Sequence, residues 1–465
     1  MNFRRLQKIV MVLTCILLIA GCTSPAQNKN EEKRTVKLMF WDENAFYRQY
    51  GDLFSMKYPN TEVELASISK IYRSQQNEDF DYNEELVKFI EEEQPDILLL
   101  DPSEIKKLGA DGKLTELQPL IDRDKYDMTT YSQGILESIK EMGEGKLFAL
   151  SPKFSVDGIL YNADLFKKYG VEPPHDGMTW QEIIDLARRF PTDGEAKERI
   201  YGFGTQNGTS ISDLASTIAR SQGLNFYNDK TKQITINTDS WKNVYKQALD
   251  AISSKAIYVR EGEGFQGGNM EDYYASQPFL MGRAAMTVES TYMLSNIKDA
   301  SEHMKDYKKF EIGIAAGPVD PADPTKTRGA RLNELFAIRA GSPNMDAAWD
   351  FIKFVNGEEF AKVRSKTVSD GLSTRQGFTK DYNGISLEPL YKLQPKINLD
   401  ENIRDAMPLD FYREYSPILE REVKLLEENK KTIDEALNTI QIEAQAALDK
   451  AVKDEEAKKG QKDKK

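Results

Sequence analysis

The chain has 465 residues, with 63 Lys+Arg against 75 Asp+Glu and a formal charge of −12. That acidic balance argues against nucleic acid as a partner, since phosphate backbones need clustered basic charge. Two cysteines and two histidines exclude a cysteine-rich or three-histidine metal site, and 40% hydrophobic residues over this length fit two or three globular domains.

The N-terminus reads as an address. Arg4, Arg5 and Lys8 precede an apolar run from Ile9 to Ala20, too short for a comfortable membrane span and typical of a signal-peptide core. Leu18-Ile19-Ala20-Gly21-Cys22 looks like a bacterial lipobox, in which residues 1–21 are removed and Cys22 is acylated as the mature N-terminus. An ordinary secretory signal with a stray cysteine is the alternative. Cleavage also removes Cys15, so no internal disulfide is expected, and the three basic residues lost make the mature chain more acidic. Two acyl chains anchor stably where one does not. Residues 22–34 then form a lipidated start and a polar tether.

Thr35 to Trp41 is a strand-type run, followed by a helical segment to about Tyr58. The breaker Tyr58-Pro59-Asn60 precedes Thr61 to Ile68, which alternates like a strand. Tyr82 to Glu92 places Leu86, Phe89 and Ile90 on one helical face, and Asp96 to Leu100 is the short continuous apolar run of a strand buried on both faces. Strand and helix alternate, which predicts an α/β sheet with crossovers.

Lys146 to Leu150 and Gly158 to Tyr161 are strand-like. Thr179-Trp180-Gln181-Glu182 is a capping box, with Met178 and Ile183 as a hydrophobic staple, for a helix to about Phe190. Trp241 to Ile252 is helical, and Glu311 to Ala316 and Leu335 to Arg339 are strands. Pro343 suits the first turn of a helix burying Met345, Ala348, Trp349, Ile352 and Val355. A second capping box, Thr432 to Glu435, starts a helix carrying Leu437, Ile440, Ala444 and Leu448. Residues 454–465 read as a charged, disordered tail. Trp180, Trp241 and Trp349 fall on helices and are expected in the core.

Five segments carry a family likeness: GKLFALSPKFSVDGILYNADLFKKYGVEPP from Gly145, TWQEIIDLARRF from Thr179, FLMGRAAMTVESTYMLSNI from Phe279, AIRAGSPNMDAAWDFIKFV from Ala337 and TIDEALNTIQIEAQAAL from Thr432. In this order, behind a lipobox, they resemble the extracellular solute-binding proteins of bacterial ABC importers, in the carbohydrate-binding branch similar to maltose-binding protein. The likeness runs from about Thr35 to Val452. It implies an α/β, two-lobed periplasmic-binding-protein-like fold, each lobe a mostly parallel sheet flanked by helices. Lobe one would be 33–151 plus 311–366, and lobe two 152–310 plus 367–453. The ligand would sit in the cleft between lobes that close by a hinge. Open α/β sheets bind ligands beyond the carboxyl ends of their strands, and pockets favour domain interfaces.

Candidate cleft residues follow. Trp41, Asp42 and Glu43 end the first strand; a flat ring stacks on the apolar face of a sugar while carboxylates accept from its hydroxyls. Asp101 ends the strand at Leu100, where it could equally cap a helix. The resemblance turns Ser155 and Asp157 toward the cleft. It also gives ligand contacts to the loop of Gln206, Asn207 and Thr209, to Glu289, Ser290 and Tyr292, to Arg331, Asn333 and Glu334, and to Phe411 and Tyr412. Relatives often carry a tryptophan where Tyr292 aligns. Arg331 could instead pair with a carboxylate, and Phe411 and Tyr412 could be core residues.

Gly262 to Gln266 with Gly267 matches G-x-G-x-x-G, but Glu261 and Glu263 would repel phosphates, so it reads as a loop. Asp122, Asp124 and Asp127 lack calcium-loop spacing, and His175 beside Pro173 and Pro174 reads as exposed. No cofactor and no metal are expected. The expected function is capture of a small molecule, a sugar or oligosaccharide, for delivery to ABC permease subunits. The chain would act as a monomer at the outer face of the cell membrane, held by its lipid anchor. Two alternatives stand: binding of another solute or a sensor partner, and a surface glycoside hydrolase using a carboxylate pair such as Asp157 and Glu289.

Overall fold

The computed structural model describes residues 33–73, 80–195, 198–205, 208–228, 230–259, 269–305, 307–397 and 407–462. Cys22, Gln206, Asn207 and residues 262–267 lie outside the described residues. The first sheet has the order Thr61–Ser67, Arg34–Phe40, Ile97–Leu100, Leu335–Ile338, Ala149–Leu150. Arg34–Phe40 runs parallel to both of its neighbours, and Leu335–Ile338 alone runs against the rest. The apolar run at Ile97–Leu100 is buried throughout, because helices cover both faces of a sheet of this kind.

The second sheet has the order Ile312–Ala315, Gly158–Asn162, Ala284–Glu289, Tyr201–Phe203, with Gly158–Asn162 as the reversed strand. One expectation is corrected here. Ile312–Ala315, expected in lobe one, pairs with Gly158–Asn162, so the chain returns to the first lobe only after this strand. A run's strand character is local, whereas its sheet membership depends on which edge is vacant.

The two sheets are joined by a small third one. Lys153–Val156 lies between Ala330–Arg331 and Leu372–Ser373, antiparallel to both. The chain thus crosses three times between lobes, side by side. Only Ser151 and Pro152 separate the first sheet's Ala149–Leu150 from this crossing, and only Asp157 separates it from the second sheet. The sheet edges at these points therefore face one another. After the third crossing the chain does not pass straight into lobe two. Arg375 is buried against the first lobe, its Nε donating to Asn356 O at 2.7 Å and its Nη1 to Thr130 Oγ1 at 3.0 Å. Its guanidinium lies over the Tyr126 and Tyr131 rings.

Local signals hold well. Thr179 and Glu182 form the capping box that opens Trp180–Ala187, with Met178 and Ile183 buried beside it. Thr432 and Glu435 cap each other in the same way at Ile433–Lys462. That last helix packs antiparallel on Leu409–Glu427 and buries Leu437, Ile440, Ala444 and Leu448. Trp180, Trp241 and Trp349 are all buried.

Several boundaries differ. The final helix runs to Lys462, so residues 454–462 are helical and not a disordered tail; Ala, Glu and Lys are strong helix formers. Pro343 precedes the cap Asn344 and so lies outside Met345–Val355, and Met345 is exposed. The strand expected from Lys146 is confined to Ala149–Leu150. The helix after Trp41 contains a π-turn at Tyr47–Gly51, where Gly51 lets Phe46 and Tyr47 pack against bare backbone; a Cβ there would meet Phe46 Cε1 at 2.6 Å.

Candidate functional site

The carboxyl edge of the first sheet carries exposed aromatic surface. Arg34–Phe40 ends directly at Trp41, which is 44% exposed, whereas the other three tryptophans are buried. Trp41 stacks on Tyr72, with ring centroids 6.2 Å apart and planes 23° apart. Tyr72, itself 40% exposed, sits in the short helix Ser69–Arg73 after the neighbouring strand. Behind it lies Tyr82, 5.7 Å away at 35°. Burial, then the Glu104 carboxylate and the Tyr72 hydroxyl, push the Tyr82 phenol far above its ordinary range.

Tyr72 is absent from the sequence-derived candidates. The rule that selected Trp41 and Asp101, the carboxyl end of a parallel strand, also points just beyond Thr61–Ser67 and would have found it.

The acids at this edge have structural work. Asp42 caps the helix Glu43–Phe46, accepting from Ala45 N at 2.8 Å, and both Asp42 and Glu43 are exposed. Asp101 forms a capping box with Glu104: its Oδ1 accepts from Glu104 N at 2.9 Å, and Glu104 Oε2 accepts from Asp101 N at 2.7 Å. Capping, the alternative reading for Asp101, is what the structure displays.

At the hinge, charges pair with each other. Arg331 holds Asp157 by two bonds, at 3.0 and 2.6 Å. Glu334 accepts from the Tyr50 hydroxyl and lies 3.1 Å from Lys153 Nζ. Burial, then the Glu334 carboxylate, raise the Tyr50 phenol well above its ordinary value. Asn333 is exposed and Ser155 half-buried.

The facing edge of the second sheet carries Glu289, paired in register with Gly158, and Tyr292, which is 50% exposed at the start of Tyr292–His303. Ser290 and Glu289 are partly buried, and Thr291 Oγ1 donates to Val368 O at 2.7 Å, beside the third crossing. Thr209 is buried and its N–H donates to Tyr258 O.

Phe411 is a correction. It is fully buried in the second core, stacked on Tyr415 at 5.3 Å and 18°, and does not reach the cleft. Tyr412, 5.2 Å from it at 70°, is half-buried against the same core. An amphipathic helix displays the same aromatic spacing whether a ring is in the core or in a cleft. Among the described residues no group of three or more His, Cys, Asp or Glu is placed to hold a metal, and no helix is long and apolar enough to cross a membrane.

Comparison with known proteins adds a family. The model for bacterial extracellular solute-binding proteins matches residues 40–362. The arabinooligosaccharide-binding protein of Bacillus subtilis (strain 168) is 26% identical over 365 residues, 76% of this chain and 76% of that one. The sugar-binding protein MalE from Xanthomonas citri superposes with a TM-score of 0.60 at 15% identity, over 90% of this chain and 98% of that one. A substrate-binding protein from Listeria monocytogenes, solved in complex with cycloalternan, superposes with a TM-score of 0.54 at 17% identity, over 90% and 99%. These structures share the two-lobed α/β fold.

Proposed function

This chain belongs to the bacterial extracellular solute-binding proteins, the non-enzymatic capture subunits of ABC importers, and from that premise we propose that it captures a sugar or oligosaccharide between its lobes. The observation that carries the proposal is the pair of exposed stacked rings, Trp41 on Tyr72, at the carboxyl edge of the first sheet. Solvent-facing aromatic area is costly to leave uncovered, and it suits the apolar C–H face of a sugar. Tyr292 offers a further exposed ring at the facing edge.

The electrostatics favour a neutral ligand. Arg331, the cation among the candidate residues, is engaged by Asp157, and Lys153 on the adjacent hinge strand by Glu334, while Asp42 and Glu43 stay exposed. An anionic solute would meet repulsion at that rim. Two of the relatives, one named for arabinooligosaccharide and one solved with cycloalternan, support the same class, whereas others are named for sn-glycerol-3-phosphate.

One observation favours a second reading. Asp42 and Glu43 beside the Trp41 face would also suit a cationic solute. Calorimetry and thermal shift of the lipid-free chain against arabino- and malto-oligosaccharides and polyamines separate the two. A sugar is expected to raise the melting temperature with little salt dependence. A rise with polyamines alone, fading with salt, would replace the sugar reading.

We further propose that acylated Cys22 holds the protein at the outer face of the membrane, with the permease as its docking partner. The wild-type protein should incorporate labelled fatty acid and Cys22→Ala should not; unchanged labelling of Cys22→Ala would refute the anchor.

A further inference from the structure

Besides the crossing strands, residues 385–396 tie the lobes together. On lobe two, Ile385–Ser386 and Glu388–Tyr391 pack on Ile312–Ala315. Lys392 Nζ pairs there with Asp176, whose carboxylate also accepts from Ala316 N at 2.8 Å. On lobe one, Gln394 Nε2 donates to Glu137 Oε2 at 2.6 Å and Ser138 Oγ to Pro395 O at 3.3 Å, both partners on the helix Gln133–Met142. Midway, the Tyr391 hydroxyl donates to Ser373 O at 3.1 Å on the third crossing. Both ends sit in notches that glycine leaves open. A Cβ on Gly158 would meet Leu390 Cδ2 at 2.5 Å, and one on Gly134 would meet Pro395 Cδ at 2.8 Å. Gly134 lies within a helix, where alanine is otherwise the better residue, so the bare backbone there answers to the contact.

The sheet orders put this segment on the side away from the candidate cleft. Ala149–Leu150, packed under Gln133–Met142, and Ile312–Ala315 are the edge strands at the hinge. Trp41 and Asp101 follow strands on the far side of Leu335–Ile338, and Glu289 ends the strand on the far side of Gly158–Asn162. Lobes that turn about the crossings to close on one side must part on the other. Between Lys392 and Gln394 the backbone spans at most about 7 Å, so the link has little slack to give.

We propose that residues 385–396 are a strap that resists closure, and that its grip on the two glycine notches sets ligand affinity from outside the binding site. This rests on the reading that the ligand is taken between the lobes. Closure stretches the strap until one end leaves its seat, and ligand binding supplies that cost. Freeing the strap raises the share of unliganded molecules that are already closed, and apparent affinity rises in proportion. Release at either end relieves the whole strap, so the effects of releasing both ends do not add.

The test measures the distance between spin labels on the lipid-free chain, placed by Lys106→Cys in lobe one and Lys298→Cys in lobe two. Both positions are exposed, each in a helix that leaves a cleft edge, and the sequence has no cysteine beyond Cys22. Leu390→Ala with Lys392→Ala frees the lobe-two end, and Gly134→Ala with Gln394→Ala frees the lobe-one end. Without ligand, each pair should enlarge the population at the shorter distance, and all four substitutions together should match either pair alone. Calorimetry with the arabino- and malto-oligosaccharides should show the affinity of any that binds raised about threefold or more. Lys392→Ala with Gln394→Ala leaves Leu390 and Pro395 seated and should give a smaller shift in the same direction, which keeps the test open if a notch variant fails to fold. Unchanged distances in every folded variant, a shift to longer ones, or additive effects of the two ends overturn the strap. Failure of every carbohydrate to bind overturns the sugar reading alone, since the distances decide the strap without ligand.

Discussion

Arg331 and Asp157, from two adjacent hinge segments, form a two-pronged ion pair, Nη1 to Oδ2 at 3.0 Å and Nη2 to Oδ1 at 2.6 Å. Bidentate charge-assisted bonds of this kind are among the strong ones. Asp157 is only 21% exposed, so Arg331→Met leaves a partly buried carboxylate without its cation. We expect about 1–3 kcal/mol lower stability in urea unfolding. Adding Asp157→Asn should recover part of the loss. If Arg331→Met kept full stability and lost ligand affinity, Arg331 would be a ligand contact and not a hinge brace.

The third crossing enters through Gly371, which has φ +110 and no room for a side chain. A Cβ there would meet Phe154 O at 2.5 Å, on the adjacent hinge strand. Gly371→Ala should therefore cost about 2 kcal/mol or more, from backbone strain and clash together. Gly384, at φ +84 with nothing within 4 Å, provides the comparison: Gly384→Ala bears the backbone strain alone, about 1 kcal/mol. Thermal melts of the two variants check the order, and equal losses would show that the hinge strands can shift apart freely.

Alkaline pH should unfold this protein through its tyrosines. Burial pushes Tyr307 up to about 12. Burial and then Glu334 raise Tyr50, and burial and then Glu104 raise Tyr82. A phenol whose pKa is higher in the folded state binds its proton more tightly there. Its contribution is complete below the unfolded value of about 10 and is lost as pH rises through the folded one. The melting temperature should fall between pH about 10 and about 12. Native protein at pH about 11 should hold back part of the phenolate absorbance that appears on adding urea. Full ionisation of all 21 tyrosines in native protein at that pH would contradict the burial of Tyr50 and the partial burial of Tyr82 and Tyr307.

Legibility in the sequence followed locality. The buried run at Ile97–Leu100, the capping boxes at Thr179 and Thr432 and the core tryptophans are encoded within a few residues, and reading those residues suffices. The sheet membership of Ile312–Ala315 is not local; it follows from pairing with Gly158–Asn162. The same holds for function. Phe411 and a cleft ring have identical helical spacing, and only packing on Tyr415 distinguishes them. Tyr72 has no motif around it, and its meaning comes from Trp41, brought near by a parallel strand pair.

The burial contrast gives a simple optical probe. Trp41 is 44% exposed, against 3% for Trp180, 6% for Trp241 and 0% for Trp349. Acrylamide should quench one emitting component of the four readily, and Trp41→Phe should remove that component. Saturating ligand should protect it. Quenching unchanged by bound ligand would place the ligand away from Trp41.

The most direct measurement is titration calorimetry of the lipid-free protein with the arabino- and malto-oligosaccharide series, in wild type and in Trp41→Ala. The account predicts saturable binding of at least one carbohydrate, weakened about tenfold or more in Trp41→Ala without loss of fold. Absence of binding by every carbohydrate, together with tight binding of another class of solute, would contradict it.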